Sequence, residues 1–309
     1  MLPKTPIYDS GYLIVHCDHG VIGSYTHWYP KIKEYVKKYS QWINSKCVTY
    51  GISVNSGNVG RIGHMTVNQL KELCDNGIEI LNHNKHHVSI GKLTLAANAN
   101  IGDTVIYVNS ANYMGLSTLS SIGYIYSYEL DNGEDKEVVY LSGYTSVSLT
   151  LSAPLTKAFP LGSTIQPTDE TMGDLVEGGL SDLNGWGLNV TNYVYPDHSA
   201  THYDLNPYAV NYVDSLFDSS RGGYGETNDI NAMNWSNLQG FAIRPSGEPA
   251  YDVIDRILDE TADNNLIAIA WGHGETVAAV LDRLDYLIEG AFSRGIKIIT
   301  QAKAYEMFA

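Results

Sequence analysis

Along the first ninety residues the hydrophobic pattern alternates between two periods. Residues 12–17 (Tyr-Leu-Ile-Val-His-Cys) form a short apolar run that predicts a buried strand ending at Asp18-His19-Gly20. Trp28, Ile32, Tyr35, Val36, Tyr39 and Trp42 then recur at helical spacing over residues 27–42. Residues 47–54 read as a second strand. Thr66 precedes a helix from Val67 to Asp75 that Asn76-Gly77 stops, and residues 78–82 form a third strand running into His83-Asn84-Lys85-His86-His87. A β-α-β-α-β order implies parallel strands joined by right-handed crossovers.

The pattern then changes. From about Ser89 to Gln166 the helical period is lost, and short β-rich runs replace it at residues 104–108, 122–126, 137–141 and 148–152. Turn-forming clusters at Asp131-Asn132-Gly133-Glu134 and Leu161-Gly162-Ser163 lie among them, which predicts a small all-β module. Helix–strand alternation resumes after it. Helices are expected over 169–183, 208–217, 251–262 and 277–293, and strands over 188–195, 241–244, 266–271 and 296–300, with the Gly/Asn-rich stretch 221–240 read as loop. The chain is therefore expected to be α/β: a distorted, incomplete barrel of about seven β/α units with an all-β insertion. The boundaries are residues 1–89 for the first barrel part, 90–167 for the insert and 168–309 for the second barrel part.

Composition narrows the function classes. Hydrophobic residues make up 44% of the 309, enough for a core and against disorder. No apolar run approaches the roughly 20 residues of a membrane helix. The net charge is -15, which repels phosphate backbones and anionic membrane surfaces, so neither nucleic acid nor a membrane is expected as a partner. Cys17, Cys47 and Cys74 are odd in number and far apart, and offer neither a disulfide framework nor a zinc knuckle. Residues 1–6 lack the apolar core of a signal peptide. The 23 tyrosines against 5 phenylalanines suit sugars and wet interfaces.

Polar residues concentrate where predicted strands end: Asp18-His19, His83 and His87, Pro196-Asp197-His198, and His273. In a barrel these ends share one face. His83 and His87 could share an ion only if the chain curls. Four residues of extended strand span about 13 Å, whereas i and i+4 on a helical turn lie about 6 Å apart. On such a turn His86 points elsewhere. Imidazoles suit zinc and similar borderline metals, although the same residues could be a surface histidine cluster beside Lys85. Asp18-His19-Gly20 reads equally as a turn or cap.

Taken together, these positions resemble the polysaccharide deacetylase family (the NodB homology domain, carbohydrate esterase family 4), over roughly residues 10–90 and 168–307. The family's first motif, a strand leading to Phe-Asp-Asp-Gly, is matched by His16-Cys17-Asp18-His19-Gly20. Its His-x-x-x-His is matched by His83 to His87, and its apolar strand ending in histidine by residues 267–273. The resemblance implies Asp18 as catalytic base, His83 and His87 as metal ligands, and His273 as general acid. It implies an oxyanion-hole role for the backbone N–H of Asp197, after Tyr195-Pro196. Two positions depart from the family. Its second motif-one aspartate, a metal ligand, is His19 here, giving a ligand set of His19, His83 and His87. Its third-motif arginine, which orients the base, is Val194, so Arg244 is the candidate replacement, or else a plain surface arginine. His16, Tyr195, Pro196, His198, Trp235 and Trp271 are expected to line the pocket and bind substrate, with core packing the other reading of Trp271.

The resemblance thus implies a divalent cation, Zn2+ by preference, and hydrolysis of acetyl groups from a host capsule or cell-wall polysaccharide. The insert is loosely similar to β modules of phage tail proteins. This points to a virion or extracellular setting, with the insert binding glycan, further copies of the chain or other virion proteins, or else serving as a plain spacer. Two alternatives remain open at this point: a non-catalytic glycan-binding tail adhesin on the same fold, and a metal-independent glycoside hydrolase using Asp18 and Asp197.

Overall fold

The computed structural model describes residues 11–39, 48–111, 125–198, 206–244, 246–274 and 278–309. Trp42, Cys47, residues 122–124 and the side chain of His198 fall outside that description.

Seven parallel strands close into a ring: β1 (Tyr12–Cys17), β2 (Gly51–Val54), β3 (Glu79–Asn82), β10 (Asn192–Val194), β11 (Ser219–Tyr224), β13 (Leu238–Ala242) and β14 (Leu266–Gly272). The last strand returns to the first, with Tyr12 opposite Ile267 and Cys17 opposite Gly272. The α/β barrel expected from the alternation is therefore present, closed at seven strands. A short antiparallel β12 (Thr227–Asp229) pairs with β14, and β15 (Lys297–Ile298) pairs with the start of β1.

Side chains alternate across each strand. Leu13, Val15 and Cys17 face the outer helical layer, while Tyr12 and Ile14 belong to a separate cluster with Leu238, Ile267 and Ile269 inside the ring. Helix α1 (Tyr29–Tyr39), preceded by a π turn over Ser24–Trp28, buries Tyr29, Ile32 and Tyr35. Helix α2 (Val67–Asp75) begins where the sequence says it should: the Thr66 side chain accepts from the Gln69 N–H, and the Gln69 side chain reciprocates at Thr66. Gly77, at φ +82°, takes the chain out of it.

Between β3 and the second half of the barrel lies a six-stranded antiparallel sheet: β4 (Leu93–Thr94), β5 (Val105–Tyr107), β6 (Ser127–Asp131), β7 (Lys136–Thr145), β8 (Ser148–Leu151) and β9 (Thr164–Pro167). The turn at Asn132-Gly133 joins β6 to β7, as its composition predicts. The run 122–126 does not itself become strand where it is described; β6 starts at Ser127. Asp174 ties the sheet to the barrel, accepting from Tyr126 Oη and Lys85 Nζ, both at 2.9 Å.

After the sheet come α3 (Asp169–Met172), a π turn (Gly173–Glu177), α4 (Gly178–Gly185), α5 (Pro207–Asp214), α6 (Tyr251–Asp263), α7 (Ala278–Ser293) and α8 (Gln301–Phe308). Helix α6 shows the expected stripe, burying Ile254, Ile257, Leu258 and Thr261. The stretch 221–240 is not the loop its composition suggests. It carries most of β11, all of β12 and the start of β13. The glycines there make room for large neighbours: a Cβ at Gly223 would lie 1.9 Å from Gln239 Nε2, and one at Gly240 would lie 3.3 Å from Trp271 Cδ1. Helix α8 closes the amino-terminal mouth of the ring, where Phe308 meets Tyr12 at 5.1 Å between ring centroids. Among the described residues no helix is long and apolar enough to cross a membrane.

Candidate metal and catalytic centre

The carboxyl ends of β1, β3, β10 and β14 converge on one mouth. Three of the four turns there need unusual backbone. His19 (φ +75°), Asn84 (φ +51°), His87 (φ +56°) and Asp197 (φ +54°) all occupy the left-handed region, which non-glycine residues seldom visit. Such conformations persist where surrounding structure enforces them, and they gather at functional sites.

The turn after β3 curls as the histidine spacing requires. Asn84 holds it: its Oδ1 accepts from the His86 N–H at 3.0 Å and its Nδ2 donates to the Val88 carbonyl at 2.6 Å. His83 and His87 are thereby brought to 4.8 Å between ring centroids. His86 turns the other way, against Gly57, where a Cβ would meet its ring at 2.4 Å. His19 completes the group, 5.3 Å from His83 and 4.4 Å from His87 between centroids. One ring nitrogen from each of His19, His83 and His87 lies within 4.8 Å of the others.

These residues fit a borderline divalent cation. His83 Nδ1 lies 2.8 Å from the Val194 carbonyl and must donate to it, which leaves Nε2 unprotonated. That Nε2 is buried and has no hydrogen-bond partner among the described residues. Burial, reinforced by the neighbouring imidazoles, holds His19 down to about 3 and lowers His83 as well; burial also lowers His87, against the opposing carboxylates of Asp197 and Asp18. All three are neutral near pH 7, the form in which imidazole binds metal.

Asp18 lies beside this trio, 4% exposed. Burial alone would raise its pKa. The Arg221 guanidinium, together with the surrounding histidines, outweighs burial and holds the carboxyl far below the usual carboxylate range. Arg221 Nη2 donates to Asp18 Oδ1 at 2.6 Å and to Oδ2 at 2.5 Å, and Ser53 Oγ donates to Oδ1 at 2.8 Å. Arg221 is fully buried, with its guanidinium 5.2 Å over the Trp271 ring.

Arg221 is the residue that the sequence reading missed. The expected replacement arginine, Arg244, is exposed in a turn beyond β13, its N–H bonded to the Glu248 carbonyl. Arg221 was hidden because Ser219-Ser220-Arg221-Gly222-Gly223 looks like loop. The signal available was an unassigned strand, since the helix at 207–214 should feed one before the next unit.

Other expected pocket residues are displaced. Trp235 packs on Tyr305 at 5.1 Å, at the amino-terminal mouth, because it precedes β13. Tyr195, 1% exposed, packs against Tyr193 in the wall, and Pro196 is buried too. Trp271 is buried in the lumen beneath the site, under the Arg221 guanidinium and 5.4 Å from the His273 ring between centroids. His16 is fully buried below Asp18, neutral because burial and Arg221 hold it at about 3. His273 does reach the mouth: it is exposed, and its ring stacks on His19 at 4.6 Å. Asp197 Oδ2 lies 3.8 Å from His87 Nδ1. Burial raises the pKa of that carboxyl, and His87 and His273 oppose the rise.

No protein-family model matches the chain, and no curated protein matches it. Solved structures do. The Xyl-CE4 domain of a multidomain xylanase from the hindgut metagenome of Trinervitermes trinervoides aligns over 96% of this chain and 91% of its own, at 11% identity and a TM-score of 0.48. A family 4 carbohydrate esterase from Streptomyces lividans, in complex with acetate, aligns over 94% and 92% at 8% identity, TM-score 0.46. The chitin deacetylase of Colletotrichum lindemuthianum aligns over 98% and 90% at 10% identity, TM-score 0.43. Likeness at this level carries no functional weight, so the chemistry has to come from the side chains themselves.

Proposed function

We propose that this chain is a metal-dependent hydrolase that removes acetyl groups from a polysaccharide. The observation that carries this reading is the meeting of His19, His83 and His87, neutral and within 4.8 Å, beside an Asp18 locked by Arg221. These three imidazoles would hold the cation, Zn2+ by preference, and a cation there supplies Lewis-acid polarisation and a more acidic water. With no carboxylate among its ligands, its charge would be little offset, which strengthens both effects.

The rest is done by the chain. Asp18 Oδ1 accepts from both Ser53 and Arg221 and Oδ2 from Arg221 alone, so Oδ2 keeps the freer lone pair and accepts the proton of the attacking water. Arg221 fixes the direction of that oxygen. The backbone N–H of Asp197 donates to the oxygen of the acetyl carbonyl as it gains charge. His273, exposed beside His19, delivers a proton to the departing sugar amine or hydroxyl. Acetate and the deacetylated sugar result. A glycoside hydrolase built on Asp18 and Asp197 would leave the neutral imidazole trio without a role. The likeness of the insert to phage tail modules favours a host-surface glycan and a virion or extracellular setting.

The test is acetate release from acetylated polysaccharides by the full chain, with metal analysis alongside. His83→Ala and His87→Ala should each abolish bound metal and lower acetate release by at least about 10³-fold. Normal release by a metal-free His83→Ala protein would overturn the reading, and tight glycan binding without acetate would replace it with an adhesin.

A further inference from the structure

The ligand trio carries no negative charge, and Asp18 is already committed to Arg221 and Ser53. Among the described residues one other carboxylate faces the trio. Asp197 Oδ2 lies 3.8 Å from His87 Nδ1, with both side chains largely withdrawn from solvent. At that separation the contact is electrostatic and not a hydrogen bond. Asp197 is held there at a backbone cost: φ 54° and ψ 13°, within the single turn Pro196–His198 that follows β10. The same strand end already serves the other histidine of the turn, since the Val194 carbonyl takes the His83 Nδ1 proton. Residues 194–197 therefore present one acceptor to each of the two candidate ligands, His83 and His87, that follow β3.

We propose that Asp197 is a positioning residue for His87, orienting its ring with Nδ1 toward the carboxylate and Nε2 toward the cation. This rests on the metal reading above. A ligating imidazole donates its second N–H to a carboxylate or carbonyl, which fixes the ring and raises the basicity of the ligating nitrogen. A cation held by the trio would make that N–H a stronger donor to the carboxylate. Asp197 also restores, one imidazole away from the ion, the negative charge that a histidine at position 19 leaves out of the ligand set.

Asn tolerates the left-handed backbone as well as Asp does, so Asp197→Asn removes the charge and little else. The measurement is zinc affinity of the full-length apoprotein by competition with a chromophoric chelator, with the visible spectrum of the cobalt-loaded protein as a second readout. Asp197→Asn should bind zinc about 10- to 100-fold more weakly and shift the cobalt bands, with the apoprotein melting point unchanged. Asp197→Glu should recover part of the affinity. Equal zinc affinity and identical cobalt spectra for wild type and Asp197→Asn would overturn the proposal while leaving the metal site standing. A wild-type protein that takes up no divalent metal would remove the metal reading itself. Should Asp197→Asn melt lower as apoprotein, Asp197→Glu decides: recovered affinity supports the proposal, and loss equal to that of Asn overturns it.

Discussion

The two mouths of the barrel are built from the same strands and could hardly differ more. At the carboxyl-terminal mouth, Asp18, His19, His83, His87 and Asp197 crowd together on turns with left-handed backbone. At the amino-terminal mouth, Tyr12, Ile14, Leu238, Ile267 and Ile269 meet Ala304 and Phe308 of α8 in an apolar plug. Polar groups at that end are linked in a chain of hydrogen bonds. Glu79 accepts from Asn192 Nδ2 and from the Ala302 N–H, Ser219 Oγ donates to Asn192 Oδ1, and Gln301 Nε2 donates to Ser219 Oγ. One mouth spends stability to gather reactive groups, and the other supplies it. A strand can carry both properties because its two ends answer to different neighbours.

Arg221 should break this contrast most sharply, since it lies in the lumen between the mouths. Arg221→Met leaves Asp18 buried and uncompensated, and should destabilise the protein by about 3–5 kcal/mol. Urea unfolding checks this. Acetate release should fall by at least about 100-fold, whereas exposed Arg244→Ala should stay within about 0.5 kcal/mol of wild type with activity intact. The reverse ranking would return the guanidinium role to Arg244.

Trp235 probes the lower mouth. Trp235→Ala loses its packing on Tyr305 and the plug, and should cost about 1–3 kcal/mol, less than a fully buried tryptophan. The kcat/KM for acetate release should not move. A selective loss of activity would put Trp235 back in contact with substrate.

The smallest effect is one of pH. Burial pushes the Glu79 carboxyl up to about 7, against the opposing N–H groups of α8 and Asn192. Its folded pKa thus exceeds the unfolded value of 4.5. The folded state holds the proton more tightly, so this contribution to stability is complete below pH 4.5 and is lost as the pH rises through 7. Melting curves of wild type and Glu79→Gln should nearly coincide at pH 4.5, with the variant gaining on wild type by pH 8. A difference between the two that does not change with pH would show that Glu79 does not titrate in this range.

The sequence was readable wherever a local signal and the global fold agreed. Thr66 and Gln69 announce α2 because a capping box is a local device. His83 and His87 could be paired because the condition on them was geometric, and Asn84 satisfies it within five residues. Arg221 was illegible for the opposite reason. Its strand is glycine-rich because the Gln239 side chain of neighbouring β13 occupies the space that a Cβ at Gly223 would take. Trp235 failed on direction: its position along the chain says nothing of which end of β13 it precedes until the strand is placed. The pairing of the Asp197 carboxylate with His87 was illegible because the two residues lie 110 positions apart.

Leu93 stands opposite Ile165, so the inserted sheet departs and returns through adjacent antiparallel strands. Departure comes six residues after His87, and the chain re-enters just before α3. A doorway of this kind uncouples what hangs outside from what happens within. The appendage can be exchanged or reshaped over evolutionary time, or by an engineer, with no barrel connection lengthened.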